Sequence, residues 1–196
     1  MKTIIKLTVI LCTTIIFFSC NNDDDSLPQG LTIGSYHEGG IVFYLDATGK
    51  SGLVCAVKDQ SSKMRWGYND IFLENTQAII GSGAMNSQNI ADAYLGIENA
   101  SDLCLELEIN GFTDWFLPSK DELNLMYVNR AKIDAAALKN GGQTFSTDFE
   151  NANYWSSTEE SKTHAWLHQF DTGEQKTYHK TYVLHARAIR AFHISN

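Results

Sequence analysis

The amino-acid sequence predicts an α+β domain over residues 33–196, preceded by a leader and a tether. Three observations support this fold class. A stretch near the start is rich in β-branched and aromatic residues, the middle of the chain carries several helix-start signals, and the last quarter alternates strand and turn residues. Strands, then helices, then strands is the order of an α+β fold. We expect two or three helices packed on small antiparallel sheets.

The first element is a predicted hairpin. Residues 41–46 and 53–57 are strand-like, and the segment between them, A-T-G-K-S-G, is a cluster of turn formers. Two such strands joined by a short turn pair with each other in antiparallel fashion. The segment that follows, residues 61–83, has little periodicity and predicts a long, partly ordered loop.

The clearest helix signal in the chain is the capping box of Ser119 and Glu122. The serine oxygen accepts from the backbone N–H three residues on, and the glutamate reaches back to the serine N–H. Pro118 is excluded from a helix interior, so this helix begins at Lys120.

Two shorter helices precede the capping box. Asn86 or Ser87 caps the first, and Asn99 or Ser101 caps the second. Residues 132–150 are ambiguous, with one alanine-rich turn of helix followed by two glycines. The remaining chain predicts strands at residues 154–157, 163–170, 174–178 and 184–193.

The leader, residues 1–19, has a basic start at Lys2 and Lys6 and an apolar run that is too short to span a membrane comfortably. The leader ends in the small residue Ser19, directly before Cys20. The segment from Phe17 to Cys20 resembles a bacterial lipobox in which Phe17 replaces the usual leucine. Cleavage there leaves a lipidated Cys20 as the membrane anchor. The alternative is an ordinary signal peptide.

Residues 20–32 predict an acidic flexible tether, since N-N-D-D-D-S-L-P-Q contains almost nothing apolar. Acidic residues directly after a lipidated cysteine resemble surface-export signals, so we expect a lipid-anchored protein of the bacterial outer membrane, exposed at the cell surface. A plain solvated linker is the alternative, and it leaves the periplasmic face open.

Charge restricts the partners. The whole chain carries −8, and the leader holds two lysines and no acidic residue, so the remainder carries −10. Nucleic-acid binding needs basic faces, and an acidic surface disfavours polyanions.

Cys55 and Cys104 are the cysteines that remain beyond the leader and Cys20. In an oxidising compartment they form an even pair, and a disulfide is one interpretation. The other is two separate buried thiols, since both lie in apolar runs and free cysteine packs as a small hydrophobe.

The predicted ligand-binding residues lie in the long loop. Trp66, Tyr68, Asn69 and Asp70 combine apolar rings with hydrogen-bonding groups, and binding residues concentrate in such loops. The combination suits a neutral glycan or an extended peptide. The alternative is that the aromatic rings pack the loop onto the domain.

No metal, cofactor or catalytic group is expected, and a structural calcium ion held by Asp and Asn of the loop 66–75 is the alternative. His164 and His168 have H-x-x-x-H spacing, but they lie in a strand pattern, where four residues span roughly 13 Å, too far for one ion. We expect two exposed strand histidines.

Four ordered motifs carry a family resemblance: G-G-I-V-F-Y-L at 39–45, D-W-F-L-P-S-K-D-E-L at 114–123, Y-W-S-S-T at 154–158 and R-A-I-R-A-F at 187–192. Together they resemble the Lcl C-terminal domain family. The resemblance implies a C-type-lectin-like fold with N- and C-terminal strands paired, residues 41–45 beside 188–192.

Function carries over less directly than fold. Some family members are bacterial surface adhesion domains, so the resemblance implies non-catalytic binding or adhesion. The alternatives are an enzyme of unrecognised activity on the same scaffold and a structural envelope component. The L-P-S-x-x-E segment also resembles one in formylglycine-generating enzymes. Those enzymes use a cysteine pair near the C-terminal end, and no cysteine follows Cys104 here, so their activity does not carry over.

Overall fold

A computed structural model describes residues 30–68, 71–149 and 151–195. The predictions for the leader, for Cys20 and for residues 21–29 of the tether lie outside this part of the chain. The described helices are α1 Gly83–Ala93, α2 Ala100–Leu105, α3 Lys120–Val128 and α4 Arg130–Lys139. The strands are β1 Tyr36–His37, β2 Gly40–Leu45, β3 Ser51–Ala56, β4 Ser61–Arg65, β5 Asn153–Glu159, β6 His164–Gln169, β7 Gln175–His179, β8 Val183–Ala186 and β9 Ile189–His193.

The first sheet has four antiparallel strands in the order β1-β2-β3-β9. The predicted hairpin is confirmed, since β2 pairs with β3. The predicted direct pairing of residues 41–45 with 188–192 is wrong, because β3 lies between them and β9 pairs with it, Cys55 opposite Ile189. β1 already occupies the outer edge of β2, with Tyr36 opposite Ile41. The C-terminal strand therefore adds to the free edge of β3, and both ends of the domain still meet in one sheet.

The second sheet has the order β4-β8-β5-β6-β7. Its strands are antiparallel except for β5 and β8, which run parallel with Tyr154 opposite His185. β4 corrects the prediction that the long loop begins at residue 61. Of its five residues only Met64 is apolar, so the alternation that signals a half-buried strand is missing from its sequence.

The predicted strand 184–193 divides into β8 and β9, which belong to different sheets. The division falls at Arg187, whose side chain is fully buried and whose Nε donates to Asp59 Oδ1 at 2.5 Å. On either side of Arg187 the carbonyl groups of Ala186 and Ala188 accept from Gln60 and Ala56. The chain passes from one sheet to the other at this point.

The helix α3 begins at Lys120, as predicted, and its capping box is complete. Ser119 Oγ accepts from the Glu122 N–H at 3.3 Å, and the Ser119 N–H donates to Glu122 Oε2 at 2.7 Å. Asn99 caps α2, accepting from the N–H groups of Ser101 and Asp102.

The helix α1 begins three residues earlier than the nearer predicted cap, Asn86. Both predicted caps are buried inside the helix, and their side chains bond elsewhere. Asn86 accepts from the Gln77 N–H at 2.8 Å, and the Ser87 hydroxyl accepts from the Leu117 N–H at 2.9 Å. Polar residues that bond to a neighbouring segment look the same in sequence as polar residues that cap their own helix.

The core has two clusters, one on each face of the β2–β3 hairpin. One contains Val42 and Val54 with Trp66, Trp115 and Trp155. The other contains Phe43, Tyr154 and Phe170 together with the inner faces of α3 and α4. The α+β class is thus confirmed, but the described residues form four helices where two or three were expected, because the ambiguous segment from residue 132 contributes to α4. Within the described ranges, no helix is long and apolar enough to cross a membrane.

Candidate functional site

Trp66, proposed from sequence as a stacking surface, lies in the core. Its side chain is fully buried. The indole Nε1 donates to the carbonyl oxygen of Ser156 at 2.7 Å, and the Lys180 ammonium lies 4.8 Å from the ring centroid. With its hydrogen bond made and no face open to solvent, the ring supports the fold and is not an accessible plate for a ligand.

Tyr68 lies at the surface and is 36% exposed. The Arg65 guanidinium donates from Nη1 to the Tyr68 hydroxyl at 3.0 Å. The two residues line a pocket of about 500 Å³ that also includes Lys63 and Glu98. Asn69 and Asp70 lie outside the described residues. Ligand binding by Tyr68, Asn69 and Asp70 therefore stays a prediction.

A second cavity, which we call the sheet-end groove, lies at one end of the five-stranded sheet. Its volume is about 460 Å³. Its most exposed aromatic residues are Phe149, 81% exposed, and Tyr182, 60% exposed. The Tyr178 ring lies 5.6 Å from that of Tyr182 and is tilted by 50°. The lining residues are Phe149, Asn153, Gln169, Thr172, Lys176, Tyr178, Tyr182, Val183 and Leu184.

Two buried amides line the groove. Asn153 on β5 lies opposite Gln169 on β6. Because side chains alternate along a strand, Asn153 shares a face with Trp155 two residues on, so the amides lie at the end of a face whose interior is apolar. Among the described residues, the buried Oδ1 of Asn153 has no hydrogen-bond partner.

The groove therefore combines open aromatic rings with a desolvated hydrogen-bond acceptor. A buried acceptor without a partner costs free energy, and a ligand donor recovers it once the Asn153 side chain turns toward the groove. Lys176 is the cationic residue of the groove, and Glu174 pairs with it at 2.7 Å. The groove thus offers stacking and neutral hydrogen bonding more than charge.

Sequence reasoning missed the groove because its residues come from separate segments. They come from the start of β5 and the residue Phe149 before it, from the end of β6 through the start of β7, and from the end of β7 through the start of β8. One local signal was available. Tyr178 and Tyr182 flank a short turn in a strand-rich region, and aromatic residues at such a turn are candidates for a surface platform.

An Asp–His–Tyr arrangement that resembles catalytic machinery lies between the sheets. Asp59 Oδ2 is 2.8 Å from His185 Nδ1 and accepts from the Tyr154 hydroxyl at 3.1 Å, while Asp59 Oδ1 accepts from Arg187. Burial raises the pKa of Tyr154. The side chains of Asp59 and Arg187 are almost wholly inaccessible, and neither residue lines the groove or the Tyr68 pocket. The cluster joins the strands at the point where the chain changes sheets.

Cys55 and Cys104 are separate, buried free thiols, so the disulfide interpretation is corrected. The cause is strand alternation. Cys55 faces the cluster with α3 and α4, whereas Cys104 packs with Val54 and Val42 on the other face of the hairpin. Burial raises the pKa of both thiols, that of Cys55 to about 12. A neutral, inaccessible thiol is a poor nucleophile.

The two histidines with H-x-x-x-H spacing differ in environment. His164 is half-buried, and His168 is fully buried and stacks on Tyr127 at 4.6 Å, so the expectation of two exposed histidines is wrong. A strand residue at the sheet centre is covered when a helix packs on that face, and α3 does so here. Within residues 30–68, 71–149 and 151–195, no group of three or more His, Cys, Asp or Glu side chains is arranged to hold a metal ion.

Comparison with known proteins gives a family match and likenesses among solved structures. The model of the Lcl C-terminal domain matches residues 55–190. No curated protein matches the chain. A fimbrial protein from Bacteroides ovatus ATCC 8483, known from a crystal structure, is similar at 15% sequence identity with a TM-score of 0.48. The likeness covers 72% of this chain and 35% of the fimbrial protein, so this chain spans about a third of that protein's length.

Proposed function

Because the chain belongs to the Lcl C-terminal domain family, we propose that it is an outer-membrane lipoprotein whose domain binds a ligand without catalysing a reaction. In this proposal Cys20 carries the lipid, the acidic tether spaces the domain from the membrane, and the domain faces the cell surface. The fold is a variant of the C-type-lectin-like arrangement. The presence of β2 and β9 in one sheet supports this, since it brings the two ends of the domain together.

The observation that carries the binding proposal is the sheet-end groove. Phe149 and Tyr182 present exposed rings, and the buried Oδ1 of Asn153 has no hydrogen-bond donor among the described residues. Rings with a polar edge suit the apolar faces of sugars or the side chains of a peptide. Sugar hydroxyls or peptide N–H groups supply the donor that Asn153 lacks.

The ligand class follows from charge. The chain carries a net charge of −8, and Lys176 in the groove is already paired with Glu174. Long-range repulsion disfavours a polyanion. The proposed ligand is therefore an uncharged glycan or an extended peptide.

A glycan array, followed by calorimetry with the best uncharged oligosaccharide, tests this function. We expect Tyr182→Ala and Asn153→Ala each to weaken binding about tenfold, the equivalent of about 1.4 kcal/mol. Tyr36→Ala is the matched control, because Tyr36 is also an exposed tyrosine, 44% exposed, and lies on the other sheet.

Tyr68→Ala separates the two candidate pockets. If this variant loses binding while Tyr182→Ala retains it, the site is the Tyr68 pocket and the groove assignment fails. If no uncharged glycan or peptide binds the full chain, the binding function itself fails. Circular dichroism of each variant reports whether the fold is retained.

A further inference from the structure

Two histidines face each other across neighbouring strands at the rim of the second sheet. His164 on β6 is paired with His179 on β7. Their ring centroids lie 5.5 Å apart, with the ring planes at 86°. Both line a surface cavity of about 730 Å³ that also includes Thr177 and Thr181. The H-x-x-x-H spacing does not reveal this pair, since the neighbour of His164 is fifteen residues away in sequence and directly across the ladder.

Both rings are held in the same way by a threonine. Thr163 Oγ1 lies 2.8 Å from Nδ1 of His164, and Thr181 Oγ1 lies 2.7 Å from Nδ1 of His179. Within the described part of the chain, neither Nε2 has a hydrogen-bond partner. A threonine hydroxyl accepts from Nδ1–H as readily as it donates. With Nδ1 protonated and held, Nε2 carries the free lone pair.

This is the arrangement that metal-ligating histidines adopt, in which one ring nitrogen binds the ion and the other donates to a neighbouring oxygen. A Zn–N bond of about 2.0 Å places each ring centroid roughly 3 Å from the ion, so two ligands at a tetrahedral angle have centroids roughly 5 Å apart. The separation of 5.5 Å is close to that value.

We propose that His164 and His179 bind one divalent transition-metal ion, of the Zn²⁺, Ni²⁺ and Cu²⁺ class, through their Nε2 atoms. Imidazole nitrogen suits these metals, whereas Ca²⁺ and Mg²⁺ prefer oxygen. With two protein ligands, the ion keeps open positions toward the cavity for water or for a donor on a bound molecule. The inference is independent of the proposed glycan function, although Tyr178 and Tyr182 line both cavities.

Isothermal titration calorimetry of the untagged full-length protein with Cu²⁺, Ni²⁺ and Zn²⁺ tests the proposal. We expect one ion per chain and the tightest binding for Cu²⁺. His164→Gln and His179→Gln should each lower the affinity at least tenfold. Thr181→Val should lower it by about tenfold, the lower end of the range for losing an outer-shell partner.

His193→Gln is the matched control. His193 also lies on a strand with its Nδ1 2.8 Å from a hydroxyl, that of Ser51, but its cross-strand partner is Ser51 and not a histidine. Binding that is absent, that survives both His164→Gln and His179→Gln, or that falls equally in His193→Gln overturns the proposal.

Electron paramagnetic resonance of the Cu²⁺-loaded wild-type protein gives a test that needs no variant. Two equivalent imidazole nitrogens in the hyperfine pattern are expected at one equivalent of Cu²⁺. A single nitrogen ligand would overturn the proposal even if the glutamine variants failed to fold.

Discussion

Lys180 and Glu159 form an ion pair whose side chains are 0% and 1% exposed. Each partner also holds the segment of residues 71–73. Lys180 Nζ donates to the Ile71 carbonyl at 2.9 Å, and Glu159 Oε2 accepts from the Leu73 N–H at 2.7 Å. Burial lowers the pKa of Lys180, and Glu159 acts in the opposite direction. The pair therefore fixes residues 71–73 of the predicted loop against the second sheet.

Lys180→Met should be strongly destabilising, because it leaves the Glu159 carboxylate buried without its counter-ion. The expected loss is about 3–5 kcal/mol in the free energy of unfolding, measured by denaturant melts. Lys180→Met combined with Glu159→Leu should recover part of that loss, since no uncompensated charge remains. A double variant less stable than Lys180→Met would show that the hydrogen bonds to the loop matter more than the charges.

The exposed pair Lys176 and Glu174 provides the comparison. Its N–O distance is 2.7 Å, but both side chains are largely solvated. Water and salt screen such a pair, so Lys176→Met should leave the melt almost unchanged. A large effect there would mean that the methionine substitution itself, and not burial of the partner, drives the result.

Trp66 and Tyr68 should respond differently to truncation. Trp66→Ala removes a fully buried ring and its hydrogen bond to Ser156, so we expect a loss of about 3–5 kcal/mol in unfolding free energy. Tyr68→Ala removes a partly exposed ring, and a change within about 1 kcal/mol is expected. Melts of both variants and of Trp66→Phe check this. Equal stability of the two alanine variants would mean that Trp66 is not a core residue in solution.

The contrast between these two residues shows what local sequence can predict. The capping box of Ser119 and Glu122 is complete within four residues, so the start of α3 was predictable to the residue. The hairpin was equally local. The hydrogen-bond partner of Trp66 is Ser156, ninety residues away, and nothing near Trp66 indicates that it points inward.

The same reasoning applies to strand order and to the candidate sites. That β9 joins β3 and not β2 depends on β1 covering the other edge, which is a property of the assembled sheet. Asn153 and Gln169 become neighbours through the β5–β6 register, as His164 and His179 do through the β6–β7 register. A site built from cross-strand pairs has no sequence spacing of its own.

His168 should make the protein less stable in mild acid. Burial lowers the pKa of His168 to about 4, whereas the unfolded chain titrates near the ordinary value of 6.5. Between these values the unfolded state binds a proton that the folded state does not, so stability falls as the pH drops from about 7 to 4. The full difference amounts to roughly 3 kcal/mol for this group.

His168→Phe isolates this contribution, because phenylalanine keeps a ring against Tyr127 and Phe170 but does not titrate. Denaturant melts at pH 7.5, 6.0 and 4.5 should show a stability gap between variant and wild type that grows in favour of the variant as the pH falls. Carboxylates also titrate in this range, but they affect both proteins alike. Parallel pH profiles would show that His168 is hydrated in solution.

Membrane attachment should depend on Cys20. A lipid anchor binds through burial of acyl chains, at about 0.8 kcal/mol per CH₂ group, and stable attachment needs more than one membrane-binding signal. Cys20→Ala removes the residue proposed to carry the lipid, so we expect the protein in the soluble fraction or as an unprocessed precursor. Fractionation of cells, followed by mass spectrometry of the N-terminal peptide, measures both outcomes.

Cys12→Ala is the matched control, because Cys12 lies in the predicted leader, and this variant should be processed and anchored like the wild type. Protease treatment of intact cells then reports whether the anchored domain faces the cell surface. If Cys20→Ala stays membrane-bound with normal cleavage of the leader, the protein is held at the membrane by something other than a lipid on that cysteine.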